Sequence, residues 1–274
     1  MARRCNQFLD IPSPPPGVIR VLIDEHALTT QQITYNRSVS SVHGAGGPYY
    51  GENATMGFDA SEYSIRRMQA GDFGAIREIC RRVYSHDTPY TESELAEHNV
   101  VYPQGQFVAE HRPTSSVAGV HFTLRLMMAD FHVDDPWDVL TAHGSFADHN
   151  PQGHTLYGAD IFVSPDHQHH GLAHALTDAT RALVVEENLW RMVGGSRLPG
   201  YSSVATVLPP EMYVAEVVAG TRTDPVLSVH LKDGWTVVKA IRGYLQDDPE
   251  SANCAAVIQW LNPSCAPPPE FALR

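Results

Sequence analysis

Between Thr155 and Leu183 the chain runs through an apolar strand, a proline turn, a glycine and an amphipathic helix: TLYGADIFV, then SPDHQHHG, then LAHALTDATRAL. This order constrains the fold more than any other feature. A helix that starts just past the carboxyl end of a strand leaves its first amides without intrahelical partners. The helix dipole adds positive potential at the same place, so the turn is shaped for an anion. The spacing Gln168-x-x-Gly171-x-Ala173 puts a glycine and a small residue where a phosphate approaches the main chain, and a side chain at either point would block it. The stretch also carries His167, His169, His170 and His174. A transition-metal site needs ligands converging at defined spacing and an outer shell that orients them. Imidazoles on a phosphate loop instead offer N–H groups to an anion, so no metal is expected.

The remaining sequence narrows the class. With 274 residues, 43% apolar and 18% charged, it reads as one large globular domain carrying extensions. No apolar run is long enough for a membrane helix. The opening MARRCNQFLDIPSPPPG is broken by prolines before an apolar segment forms, so no secretory signal and a cytoplasmic location are expected. Cys5, Cys80, Cys254 and Cys265 form no C-x-x-C pair, which argues for reduced thiols. The net charge of −12 repels polyanions, so nucleic acid is an unfavourable partner.

Residues 1–60 read as an extension of unassigned role, 61–262 as the main domain and 263–274 as a tail. Ser64–Met68 reads as a strand. Asp72 stands as N-cap of a helix with Phe73, Ile76, Ile79, Cys80 and Val83 on one face. ESELAEHNV is a second helix. GQFVAEH and SVAGVHFTLRLMM are strands joined by the turn RPTS. Asp130–His154 is a long insertion. After the phosphate motif come the strand WRMVGGS, the helix PPEMYVAEVVAG, and DPVLSVHLKDG, a helix capped by Asp224 and ended by Gly234. The strands WTVVKAI and CAAVIQWL close the domain.

At Val163–Pro165 and Gln168–Ala173 the chain resembles the GNAT superfamily of acyl-CoA-dependent N-acyltransferases, whose pyrophosphate loop reads Gln/Arg-x-x-Gly-x-Gly/Ala after a strand ending Val-x-Pro. TLYGADIFVSP, GGSRLPGY, DPVLSVHLKDGW and VIQWLNP are similar to acetyltransferase domains that occur alone or joined to nitrilase-like carbon-nitrogen hydrolases. The resemblance covers about 200 residues. It implies an α/β (α+β) fold with a central mixed, mostly antiparallel sheet flanked by helices. It further implies acetyl-CoA as co-substrate without a metal, and a small-molecule amine as acceptor with no membrane partner. It is also compatible with a homodimer.

The resemblance assigns roles as follows. The main chain of Gly158–Val163, with Ile161, Phe162 and Val163 nearest the reacting end, holds the pantetheine arm, and an amide near Phe162 or Val163 meets the thioester oxygen. The amides of Gln168, His169, His170, Gly171, Leu172 and Ala173 take the pyrophosphate. Asp160 is the available carboxylate for the ammonium proton, with a purely structural role as the alternative. The tyrosine that usually protonates the leaving thiolate is replaced by His230, four residues before Gly234, and Tyr201 and Tyr213 are rival donors. Arg197 faces the acceptor side, where it grips a substrate anion or stands as a surface arginine. Loss of the tyrosine keeps two other functions open: an acyl-CoA-binding module without turnover, and another acyl-CoA reaction on the same scaffold.

Overall fold

The computed structural model describes residues 57–84 and 89–271, and separately two short antiparallel strands, β1 (Val18–Ile19) and β2 (Ile33–Thr34). The chain divides into a unit of residues 1–50 and a unit of residues 51–274. The rest of the expected 1–60 extension up to residue 56, and residues 85–88 between the first two helices, lie outside the described residues.

Seven strands of the second unit form one sheet: β3 (Tyr63–Arg67), β4 (Gln106–His111), β5 (Ser116–Leu126), β6 (Thr155–Val163), β7 (Arg191–Arg197), β8 (Thr236–Arg242) and β9 (Cys254–Leu261). Their order is β3-β4-β5-β6-β7-β9-β8, and every neighbouring pair is antiparallel except β6 with β7. This is the mixed, mostly antiparallel sheet expected. β5 sits near its centre, and the run VAGVHFTL is buried on both faces, as a covered strand requires.

The helices cover the sheet on both sides. On one side α1 (Phe73–Val83) and α2 (Glu92–Val101) pack over Phe122, Leu124 and Tyr157, joined by the one-turn α3 (Trp137–Leu140) of the expected insertion. On the other, α4 (Leu172–Glu186), α5 (Pro210–Val218) and α6 (Leu227–Lys232) pack over Leu156, Met192 and Ile258. In α1 the buried Phe73, Ile76, Ile79 and Cys80 recur at helical spacing. Asp72 does precede α1, but its carboxylate turns back to accept from the Gln69 amide and Arg66 rather than capping the helix amides. Asp224 does cap: it is fully buried, and its Oδ1 accepts from the amides of Val226 and Leu227 at 2.9 Å. The expected tail follows the sheet as far as Phe271, whose ring lies 4.6 Å from that of Trp190.

One irregularity shapes everything that follows. β5 and β6 slip register between Phe122 and Thr123, which pair with Asp160 and Gly158, so Ala159 is an extra residue in β6. Such a bulge bends its strand and sharpens its twist. β6 pairs with β7 only from Thr155 to Gly158, after which β7 continues along β9 and β6 keeps β5 alone. The two parallel strands thus part just past Gly158 and Gly194. The bulge is held by Trp137, whose indole Nε1 donates to the Ala159 carbonyl at 2.8 Å.

Candidate active site

The phosphate loop begins where β6 ends. Residues 165–167 form a single 3-10 turn, and His169 and Gly171 adopt left-handed conformations with φ of 65° and 70°. Glycine tolerates that conformation without strain, and here it turns the chain into α4. The first bond of α4 runs from the Ala175 amide to the Gly171 carbonyl, so the amides of Leu172, Ala173 and His174 face the turn without a helical partner. Gln168, His169 and His170 are exposed on the loop, while the Leu172 side chain is buried and leaves only its amide to the site. Asp166 would repel an anion, but Arg82 of α1 grips both its oxygens at 2.7 and 2.9 Å. That ion pair also ties the loop to α1.

The free edge of β6 supplies the next part. The Ser164 amide donates to Ala118 of β5 at 2.8 Å. Main-chain groups alternate in direction along an antiparallel pair. Phe162 therefore directs its amide and carbonyl to β5, and Ile161 and Val163 direct theirs to the gap. Of the two amides expected at the thioester oxygen, that of Phe162 is thus turned to β5 and that of Val163 to the gap, beside that of Ile161; the Phe162 ring packs against Tyr84 on the α1 side. At the apex a Cβ on Gly194 would come 3.3 Å from the Gly158 carbonyl, and one on Gly158 would come 3.2 Å from His121 Nε2 and 3.3 Å from the Met192 methyl. A methyl at either glycine would be tighter than ordinary contact and would need its neighbours to shift by a few tenths of an ångström.

On the α4–α6 side of the apex stand His121, Ser196 and His230. His230 Nδ1 lies 3.0 Å from Ser196 Oγ, and its ring meets Trp235 edge-on. Burial, reinforced by Arg181, lowers its pKa to about 4, so it is a neutral imidazole at pH 7. His121 Nδ1 lies 2.9 Å from the Thr180 hydroxyl, which itself donates to Leu176. The imidazole must then donate from Nδ1, leaving Nε2 as an acceptor beside Gly158. Burial brings the His121 pKa to about 3.

The opposite side of the apex carries the carboxylate. Asp160 accepts from the Tyr84 hydroxyl at 2.8 Å and from the Tyr90 hydroxyl at 3.1 Å. Burial first, and the charge of Asp160 second, push both phenols well above their ordinary pKa, so they stay protonated. Tyr157 and Tyr244, whose hydroxyls are 2.5 Å apart, complete this polar wall.

Three further candidates, Arg197, Tyr201 and Tyr213, are engaged by other groups. Arg197 does not offer a free fork: Asp248 takes its Nε at 2.8 Å and, with Glu250, its Nη2. Asp248 is 3% exposed, and a buried carboxylate holds its arginine tightly. Tyr201 is buried and donates to the Leu208 carbonyl at 2.9 Å, and Tyr213 donates to Asp224 at 2.8 Å. Both hydroxyl protons are taken by these bonds. Sequence reasoning missed Tyr84 and Tyr90, from the connection between α1 and α2, His121 of β5 and Ser196 of β7. Among the described residues no group of His, Cys, Asp or Glu could hold a metal ion, and no helix is long and apolar enough to cross a membrane.

A sheet opened by a bulge beside a strand–turn–helix passage is the architecture of the GNAT acyltransferase fold. The loading GNATL domain of CurA from Lyngbya majuscula superposes with a TM-score of 0.62 at 18% identity, over 73% of this chain and 98% of that one. The GphF GNAT-like decarboxylase in complex with isobutyryl-CoA gives 0.56 at 21% identity, over 73% and 99%. In sequence, the chain is 32% identical over 176 residues to the uncharacterized N-acetyltransferase YkwB of Bacillus subtilis (strain 168), covering 63% of this chain and 75% of YkwB. The chain belongs to this GNAT N-acetyltransferase family. It is also 28% identical over 198 residues to the probable hydrolase YhcX of the same organism, 72% of this chain but only 38% of YhcX. No protein-family model matches the chain.

Proposed function

We propose that the chain transfers an acetyl group from acetyl-CoA to the primary amine of a small molecule, by direct attack with both substrates bound. The observation that carries this reading is the parting of β6 from β7 at Gly158 and Gly194, immediately before a loop of unpartnered amides. The fit to an acyl thioester with a diphosphate tail rests on the unpaired edge at Ile161 and Val163, the side-chain-free apex, and the left-handed Gly171.

Acetyl-CoA supplies the activated acyl carbon. The amides of Gln168–Ala173 neutralise its diphosphate. An amide of Ile161 or Val163 donates to the carbonyl oxygen as negative charge develops there. Asp160 is the proton acceptor for the ammonium, because the phenols around it stay neutral and leave it the one basic group of that wall. His230, neutral at pH 7, serves the leaving sulfur through a ring N–H, with Ser196 fixing the ring.

A second reading is a different acyl-CoA reaction, such as decarboxylation. It is favoured by the replacement of the usual tyrosine by His230 and by the likeness to the GphF decarboxylase. An acyl-CoA-binding module without turnover is the third. Thiol release from acetyl-CoA with an amine panel, with products weighed by mass spectrometry, separates all three. An acetylated amine supports transfer, carbon dioxide from a carboxylated acyl-CoA supports the second, and calorimetric binding without turnover supports the third.

A further inference from the structure

Three imidazoles and a phenol beside the phosphate loop take no part in the chemistry above. Tyr63, 2% exposed at the start of β3, has its hydroxyl 3.0 Å from His167 Nδ1. The His167 ring is 4.9 Å from that of His111 at the end of β4, and the Tyr63 ring lies 5.3 Å from His111 and 5.6 Å from His170. His111 Nδ1 is engaged by the Thr114 hydroxyl at 2.7 Å. Among the described residues, the Nε2 atoms of His111 and His167 therefore carry no hydrogen bond. The charged groups around this cluster are already occupied or distant: Asp166 is gripped by Arg82, Arg112 donates to the carbonyls of Ala60 and Tyr63, and Glu62 acts on Tyr63.

We propose that His111, His167 and His170 form a second phosphate subsite, taking the 3′-phosphate of coenzyme A with uptake of protons. This rests on the acyl-CoA reading. The loop amides already match the diphosphate, and the imidazoles lie to one side of them, on the β3–β4 edge, where a third phosphate of the same ligand finds its own donors. Burial, then repulsion from His111 and His170, holds the His167 pKa below its ordinary value while the site is empty of anion. A phosphate dianion reverses that balance and raises it. Binding then consumes protons, and affinity rises as the pH falls from 8 towards 6.5, where most of the phosphate is still the dianion.

The test is calorimetry of the full chain with coenzyme A and with 3′-dephospho-coenzyme A, at pH 6.5 and 8, in two buffers of different ionisation enthalpy. Coenzyme A is expected to bind about tenfold tighter than the dephospho form at pH 6.5, with net proton uptake, and to lose most of that advantage at pH 8. The double variant His111→Gln, His167→Gln should bind both ligands alike, and inorganic phosphate should erode the advantage of coenzyme A in the wild type. The single His170→Gln, at an exposed position, should show part of the same loss if the double variant misfolds. Equal affinity for the two ligands at both pH values overturns the subsite, as does an identical pH dependence for both, which would place the imidazoles on the diphosphate. Binding of neither ligand removes the acyl-CoA reading itself.

Discussion

His230 Nδ1 lies 3.0 Å from the hydroxyl of Ser196, joining α6 to β7 two residues beyond the point where β7 leaves β6. The imidazole so held is neutral at pH 7 and is the proposed donor to the leaving sulfur. Replacing His230 by Phe should lower kcat about 100-fold if its N–H serves the leaving sulfur, with a smaller change in KM for acetyl-CoA. Steady-state kinetics at pH 7.5 checks this, and an unchanged kcat assigns His230 to packing.

Asp160 is expected to behave as a base held by two donors. Asp160→Asn should reduce kcat/KM at least about 100-fold across the accessible pH range. Tyr84→Phe and Tyr90→Phe each remove one hydrogen bond and should cost about 1 kcal/mol of stability. Wild-type kcat/KM in Asp160→Asn would exclude it as the base.

Gly171 combines a φ of 70° with the closest expected approach to phosphate. Gly171→Ala should lose about 1 kcal/mol of stability through the left-handed strain, and the added methyl should weaken coenzyme A binding. Thermal unfolding and calorimetry measure the two losses separately.

His98 and His121 are buried and neutral, with burial bringing their pKa values to about 4 and about 3. In the unfolded chain each takes a proton near pH 6.5. Stability from this source is complete above pH 6.5 and falls with pH below it, by about 1.4 kcal/mol per histidine per pH unit. The urea midpoint should accordingly drop steeply between pH 6.5 and pH 5. His98→Phe should flatten that slope; an unchanged slope would show that His98 titrates normally.

Trp137→Phe tests the bulge. It leaves the Ala159 carbonyl without its indole donor and should destabilise the fold by about 1–2 kcal/mol. If the bulge sets the gap, coenzyme A affinity should fall with it.

The elements of the main domain and their order were legible in the amino-acid sequence. Local patterns gave β6, α4 and β9, because apolar periodicity, proline and glycine act within a few residues and survive tertiary packing. The turn from Gln168 to Ala173 into α4 was legible for the same reason, since it lies within one local run. Asp224 announced its cap through the proline that follows it. Contacts between distant segments were set by folding in three dimensions. The parting of β6 from β7 depends on a slip against β5, which no local pattern encodes. Tyr84 and Tyr90 meet Asp160 across about 70 residues of chain, and His121 meets Thr180 across 59. Arg197 looked free until Asp248 arrived from the loop before β9. Hydrogen-bond partners and the burial that shifts a pKa are properties of neighbours in space, and the fold alone chooses them.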